Sequence, residues 1–469
     1  MDRNLYELGM VGLGVMGRNL VLNMADHGHA VVGYDKNPDR GQDLLREGAG
    51  KEVAAAGKMA EFVAMLRPPR VILLLVAPAS VVDLVVRDLA GLLSEGDLVI
   101  DAGNSYFKDT DRRAQFLSEK KVRFFGMGVS GGESGARHGP SLMPGGPREG
   151  YDRVRPVLES VAARVGGEPC VTWLGPGAAG HYVKTVHNGI EYGVMQLLAE
   201  AYDLMHRGLG LDNDALAGVF ERWDKGELHS FLIEITGRIF RKQDDLTPNR
   251  LVDMVLDVAR QKGTGQWTSE EGLALQVPLP TIDVAVTMRN LSARSDERTA
   301  AHKLYGDPTK ISADRGKFLD DLAAGVWAAT LACYAQGMDL LRVASAHYKY
   351  NLNLAEVARI WRGGCIIRAA LLDDLRGAFT TTADLPNVLL DPALAAKMKA
   401  KQGALRTVVK AAVDAGIPAP AFAASLNYYD ALRSGTLPTN LVQAQRDYFG
   451  AHTYERRDRP GTSHTHWGE

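Results

Sequence analysis

Gly180–Gly193, GHYVKTVHNGIEYG, places a base, an acid and three further polar groups close together, and the MQLLAEAYDLM that follows has the make-up of a helix. Counted forward along a helix from Lys184, His187 lies three residues on, Asn188 four, Glu191 seven and Tyr192 eight. Those intervals stack side chains on one face. Val183, Val186, Ile190 and Val194 fall largely on other faces, where they can pack. Burying such a polar stripe is costly unless its groups are paired or used. A base and an acid on one stripe are the residue types that general acid–base chemistry uses.

A solvated polar face would show the same spacing, but the chain contains its own comparison. At a shift of 136 (325 − 189), DDLAAGVWAATLACYAQGMDLL sets Gly325 against Gly189, Ala335 against Ala199, Asp339 against Asp203 and Leu340 against Leu204. His187, Asn188 and Glu191 then meet Ala323, Ala324 and Trp327. A helix of this kind is thus built without the polar set, which argues that the first copy keeps it for function. WDKG at Trp223–Gly226 returns as WRGG at Trp361–Gly364, and Arg238 as Arg376, at a shift of 138 (361 − 223). The region after Gly180 therefore reads as a duplicated all-helical unit.

Ahead of it the pattern is strand–helix. The apolar run Leu8–Val11 leads into GLGVMG, Gly12 to Gly17, and residues 18–27 read as a helix. A glycine-rich turn between strand and helix offers free N–H groups and a positive helix end to a pyrophosphate. Gly12, Leu13, Gly14, Val15, Met16 and Gly17 are the candidate cofactor loop. A second strand, 30–34, ends at Asp35, 23 residues beyond Gly12 (35 − 12), where a dinucleotide fold meets the adenosine ribose. An acid there accepts from the 2′-OH of NAD and repels the 2′-phosphate of NADP. Lys36 follows directly and partly offsets that repulsion, so Asp35 leans towards NAD while NADP stays open.

Residues 71–76, VILLLV, form a continuously apolar strand of the kind covered on both faces, and Val76 closes it beside the cofactor. Another strand, 98–101, ends in DAGNSY, placing Asn104 and Ser105 at the carboxyl-end crevice where ligands bind. A further strand, 122–127, runs into GVSGGESGARHG, whose Ser130, Gly131 and Gly132 let backbone approach a ligand closely. Lys262, between glycines in QKGTGQWT, and Arg289, in MRNLSARSDER, are cations available to an anion. Arg446 and His452 stand in NLVQAQRDYFGAHTYERRD, near a polar end, RPGTSHTHWGE, with little to drive independent folding.

The expected fold is an α/β Rossmann-type nucleotide-binding domain (1–178), a large all-α domain with an internal repeat (179–434) and an extended C-terminal tail (435–469). A tail of 35 residues (469 − 434) spans tens of ångströms at roughly 3.3 Å each, enough to reach a partner subunit. With a net charge of −2 there is no electrostatic case for nucleic acid or membrane. Three scattered cysteines, Cys170, Cys333 and Cys365, suggest neither a disulfide framework nor a zinc site, and point to a cytoplasmic protein without a metal.

GLGVMG, DAGNSYF, GVSGGESGARHGPSLMPGG, KTVHNGIEYG, LDVARQKGTGQWT and LVQAQRDYFGAHTYE, in that order, resemble the 6-phosphogluconate dehydrogenase family in its long form, within the β-hydroxyacid dehydrogenase superfamily. The resemblance runs nearly end to end. It implies oxidative decarboxylation of 6-phosphogluconate with NADP or NAD in the pentose phosphate pathway, by a homodimer that exchanges its tails. It implies Lys184 as general base and Glu191 as general acid. Asn104, Ser130, Gly131, Gly132, His187, Asn188, Tyr192, Lys262, Arg289, Arg446 and His452 match the family's substrate contacts, the last two supplied across the dimer. NADP-dependent members carry Asn-Arg-Ser/Thr after the second strand, where this chain has Asp35, Lys36 and Asn37. A dehydrogenase of a non-phosphorylated β-hydroxyacid would share much of the site without needing Arg289, Arg446 and His452. A nucleotide-binding sensor would have lost Lys184 or Glu191.

Overall fold

The computed structural model describes residues 5–468. Seven strands form one sheet in the order β3-β2-β1-β4-β5-β6-β7, where β1 is Leu8–Val11, β2 Val31–Tyr34, β3 Val53–Ala56, β4 Val71–Leu74, β5 Leu98–Asp101, β6 Arg123–Ser130 and β7 Ser141–Pro144. The pairs from β3 to β6 are parallel, and β7 is antiparallel to the second half of β6. Fully buried β1, β4 and β5 have the near-continuous apolar character expected of strands covered on both faces. The first helix, Val15–Asp26, begins inside the glycine motif rather than after it. Gly17 lets its first turn pack against the loop, since a Cβ there would collide with the carbonyl oxygen of Gly12.

The main helices of the helical part form two five-helix runs around a shared apolar core, with two further helices, Leu251–Met254 inside the first run and Ser295–Tyr305 between the runs. The first comprises Ala179–Asp203 (the site helix), Asn213–Trp223, Phe231–Arg241, Thr264–Ala274 and Pro280–Ser292. The second comprises Arg315–His347 (the counterpart helix), Leu354–Trp361, Leu371–Thr381, Pro392–Ala415 and Pro420–Leu432. Equivalent glycines at the predicted shift face equivalent helices: Gly189 lies against Thr268, and Gly325 against Leu405 and Val408.

The last helix of each run starts at a proline, Pro280 or Pro420, a favoured first helical position. Each is capped from the opposite run. Gln336 of the counterpart helix accepts from the Thr281 N–H at 3.0 Å. Glu200 of the site helix accepts from the N–H groups of Ala421, at 2.9 and 3.0 Å, and Phe422, at 3.0 Å.

The tail holds a helix, Thr439–Gly450, and a short hairpin pairing Tyr454–Glu455 with Thr462–Ser463. Among the described residues, no helix is long and apolar enough to cross a membrane.

Candidate active site

The site helix enters at the edge of the sheet and runs along β6. A Cβ at Gly180 would lie 2.3 Å from the Met143 carbonyl oxygen and 2.5 Å from that of Gly126. One turn on, a Cβ at Gly128 would lie 2.4 Å from the Cβ of Lys184. Beyond that, the Ser130 hydroxyl meets His187 Nε2 at 3.2 Å. Four residues of helix advance about 6 Å and two residues of strand about 6.6 Å, so the two elements stay in step. Gly126, Gly128 and Ser130 alternate onto the strand face that receives the helix, and the two glycines leave room for it.

Along this track the predicted stripe is realised. Lys184, His187, Asn188 and Tyr192 are buried, and Glu191 is about four-fifths buried. Lys184 Nζ lies 3.4 Å from His187 Nδ1, which meets Asn188 Oδ1 at 3.1 Å and Glu191 Oε2 at 3.8 Å. With His187 Nδ1–H donating to Asn188, Nε2 is left to accept from Ser130, whose oxygen in turn accepts from the Ile366 N–H at 3.4 Å. The Trp361 ring closes over His187 edge-on at 5.5 Å. Cys365 is buried beside Lys184, and burial holds its thiol up at about 12.

Burial acts in opposite directions on the acid and the base. It lowers the Lys184 ammonium below its ordinary value, against the attraction of Glu191. It raises the Glu191 carboxyl, against Lys184 and Arg289. Burial, reinforced by Lys184, also holds His187 well below the usual imidazole range, so that it is neutral.

At the far end of the stripe, the Arg289 guanidinium lies over the Tyr192 ring at 3.3 Å. Gly265 packs against the same ring, seating the helix that follows Lys262. Lys262 is exposed and precedes Gly263, whose left-handed φ of 98° starts that helix. Gly131 (φ 123°) backs onto the Gly364 carbonyl, so the Ser130–Gly132 turn is docked on the second helical run. Asn104 is exposed at the end of β5. Its turn is shaped by buried Asp101, which accepts from Ser105 Oγ at 2.6 Å and from Arg113 at 3.3 Å. Ser105 is therefore a turn-forming residue here.

On the cofactor side, a Cβ at Gly12 would collide with Leu75 O and Val76 Cγ1, whereas one at Gly14 would meet only Arg40, 3.8 Å away. Gly14 caps the first helix without a side-chain acceptor, and its first turn carries no acid, so the helix start is open to an anion. Val15 is exposed and Met16 partly buried. Asp35 accepts from the Leu13 N–H at 2.8 Å, the Asn37 N–H at 2.9 Å and Arg40 at 3.2 Å. Asn37 caps the next helix by accepting from Asp39 N–H, and Lys36 is exposed. These residues fit a dinucleotide: glycines where backbone must come close, an open helix start, and an acid at the ribose position.

Residues 7–175 match the family NAD binding domain of 6-phosphogluconate dehydrogenase, and residues 180–467 match the 6-phosphogluconate dehydrogenase C-terminal domain. The chain belongs to the 6-phosphogluconate dehydrogenase family. Within it, a Synechococcus elongatus relative named 6-phosphogluconate dehydrogenase, decarboxylating, is 49% identical over 468 residues, 99% of each chain. A Bacillus subtilis relative, whose name adds NADP(+)-dependence, is 46% identical over 463 residues, 98% of this chain and 99% of that one. The solved Plasmodium falciparum 6-phosphogluconate dehydrogenase, described in its apo form and with NADP+ or 6-phosphogluconate, is similar with a TM-score of 0.95. It is 43% identical and covers 98% of this chain and 100% of that one.

Two predicted residues of this family member stand apart from the stripe. Arg446 donates to Gln443 and His452 lies edge-on to Phe449, both partners within the tail. Gly126, Gly128, Asp101, Arg113, Trp361 and Cys365 support the site without having been singled out as site residues in the sequence. The alternation in GMGVS, with small residues on one strand face, was the available signal for the two glycines.

Proposed function

We propose that the chain oxidatively decarboxylates 6-phospho-D-gluconate to D-ribulose 5-phosphate and CO2, reducing NADP or NAD, as a cytoplasmic step of the pentose phosphate pathway. The observation that carries this reading is the pair Lys184 and Glu191 on one buried helix face, each pushed by burial towards its neutral form. Arg289 and Lys262 supply cations for a phosphorylated substrate, and arginine's planar fork suits phosphate. The Ser130–Gly132 backbone and Asn104 stand where the sugar-acid end would be held, with His187 and Asn188 beside the reacting carbon.

Held by the Gly12–Gly17 loop and Asp35, the nicotinamide cofactor would supply the hydride acceptor for oxidation at C3. Neutral Lys184 takes the C3 hydroxyl proton in the same step. The product is a β-keto acid, and protonated Lys184 then donates to its carbonyl oxygen while the C1–C2 bond breaks and CO2 leaves. Glu191, held protonated, delivers its proton to C1 of the resulting five-carbon enediol.

The tail reading completes the proposal. Leu441, Val442, Tyr448 and Phe449 are exposed apolar side chains on the tail helix, as expected of a segment covered by a second copy. In such a homodimer Arg446 and His452 would serve the partner's substrate site.

The test is steady-state turnover of 6-phosphogluconate with NAD and NADP in parallel, on wild type, Lys184→Ala and Glu191→Ala. Wild type turns over, and each variant loses about 10²–10⁴-fold in kcat while binding cofactor normally. Wild-type rates in either variant would remove that residue from the chemistry.

A further inference from the structure

The final residues of the chain are polar, yet they are organised on one buried carboxylate. Asp447, on the tail helix, is 0% exposed. It accepts from the Thr453 N–H at 2.9 Å, His464 Nδ1 at 2.9 Å, the Thr465 N–H at 3.0 Å and Trp467 Nε1 at 2.9 Å. Three of these donors come from the terminal segment, which the hairpin returns to the helix; Tyr454 Oη meets Thr465 Oγ1 at 2.5 Å. The fourth donor, Thr453, directly follows His452.

His452 sits in a turn that needs holding. Ala451 (φ 49°) and Thr453 (φ 60°), on either side of it, are left-handed residues bearing a Cβ. Gln443, one helical turn before Asp447, donates to the Thr453 carbonyl at 2.6 Å and accepts from Arg446 at 3.0 Å. Thr453 is therefore gripped by both its N–H and its C=O from one face of the helix, and the same face holds Arg446.

We infer that Asp447, acting with Gln443, is the positioning residue of the tail, clasping the terminal His464–Trp467 segment to the helix and so fixing His452 and Arg446 for the phosphorylated sugar acid in a second copy's site. The inference rests on the reading that His452 and Arg446 serve a substrate across a dimer.

Three full-length variants separate the two: His452→Ala, Asp447→Asn and Trp467→Phe. Asp447→Asn keeps the shape but turns one acceptor into a donor facing donors. Trp467→Phe removes one hydrogen bond and keeps the ring beside Tyr448 and Tyr454. The expected result is a KM for 6-phosphogluconate raised about tenfold or more in Asp447→Asn, and less in Trp467→Phe. The kcat, the cofactor Kd by NADH fluorescence and the sedimentation of the dimer stay near wild type. A merely structural role would instead lower the dimer fraction and kcat with KM unchanged, and that pattern overturns the inference. An unchanged KM in His452→Ala overturns the tail reading beneath it. A raised KM in His452→Ala with a wild-type KM in Asp447→Asn overturns the clasp alone. Should Asp447→Asn not assemble, Trp467→Phe decides, a wild-type KM counting against the clasp.

Discussion

In the proposed mechanism, Lys184 and Glu191 owe their roles to one cause acting on opposite charges. Removing water from an ammonium and from a carboxylate favours the neutral form of each, giving a base and an acid without any special partner. Asp35 would work differently, as a fixed charge in the proposed ribose pocket. Its carboxylate is already tied to the glycine loop through Leu13 and to Arg40, which would hold it in place for a 2′-OH. Asp35→Asn removes the repulsion of a 2′-phosphate and weakens acceptance from the 2′-OH. The ratio of NADPH to NADH affinity should rise by on the order of ten- to a hundredfold in the variant. Fluorescence titration of the protein with each reduced cofactor measures this, and an unmoved ratio would mean that Lys36 and Arg40 govern the pocket.

At the scale of elements, β6 and the site helix act as one part, because the lysine stem rests on a strand glycine. Gly128→Ala places a methyl group where the Lys184 Cβ stands 2.4 Å away, and the lysine belongs to a helix that cannot yield locally. A displacement of about 1 Å at a reacting group costs about a hundredfold in rate. Gly128→Ala is expected to lose that much kcat while retaining cofactor affinity, read by turnover and by NADH titration on the same preparation; near-wild-type kcat would mean that the helix slides freely along the strand. The stripe itself was legible because helical spacing is written directly into residue numbers. The glycine loop was legible because strand, turn and helix follow one another in sequence. The repeat was only partly legible, since its offset drifts from 136 at the long helices to 140 at Pro280 and Pro420 (420 − 280) as the intervening loops differ. Asp101, Trp361 and Asp447 were hidden for another reason: each acts through partners that only folding brings near, and no local pattern marks such a residue. The polar end of the tail lacks an apolar core, and its order comes from hydrogen bonds to Asp447 instead.

Across the whole molecule, the crossed caps join the two helical runs through buried polar groups. Burial holds the Glu200 carboxyl up at about 7, against the lowering donors Ala421, Gln196 and Phe422. A carboxyl raised in the folded state binds its proton more tightly there than in the unfolded chain. Its contribution is fully present below about pH 4.5 and is lost as pH rises through about 7. The shift corresponds to about 3 kcal/mol. Glu200→Gln should remove that slope, so the difference in Tm between wild type and variant changes between pH 5 and 8 in favour of the variant at the upper end. Parallel Tm curves would show that Glu200 does not titrate in this window.

The crossing of those caps also decides what counts as a unit. The head of each last helix finds its acceptor only on the long helix of the other run, so one run in isolation would leave those N–H groups without that acceptor. The smallest piece with both helix heads closed is therefore the pair. Cutting the connection at residues 306–314 would yield two halves of one lock, each holding the other's key, rather than two independent domains.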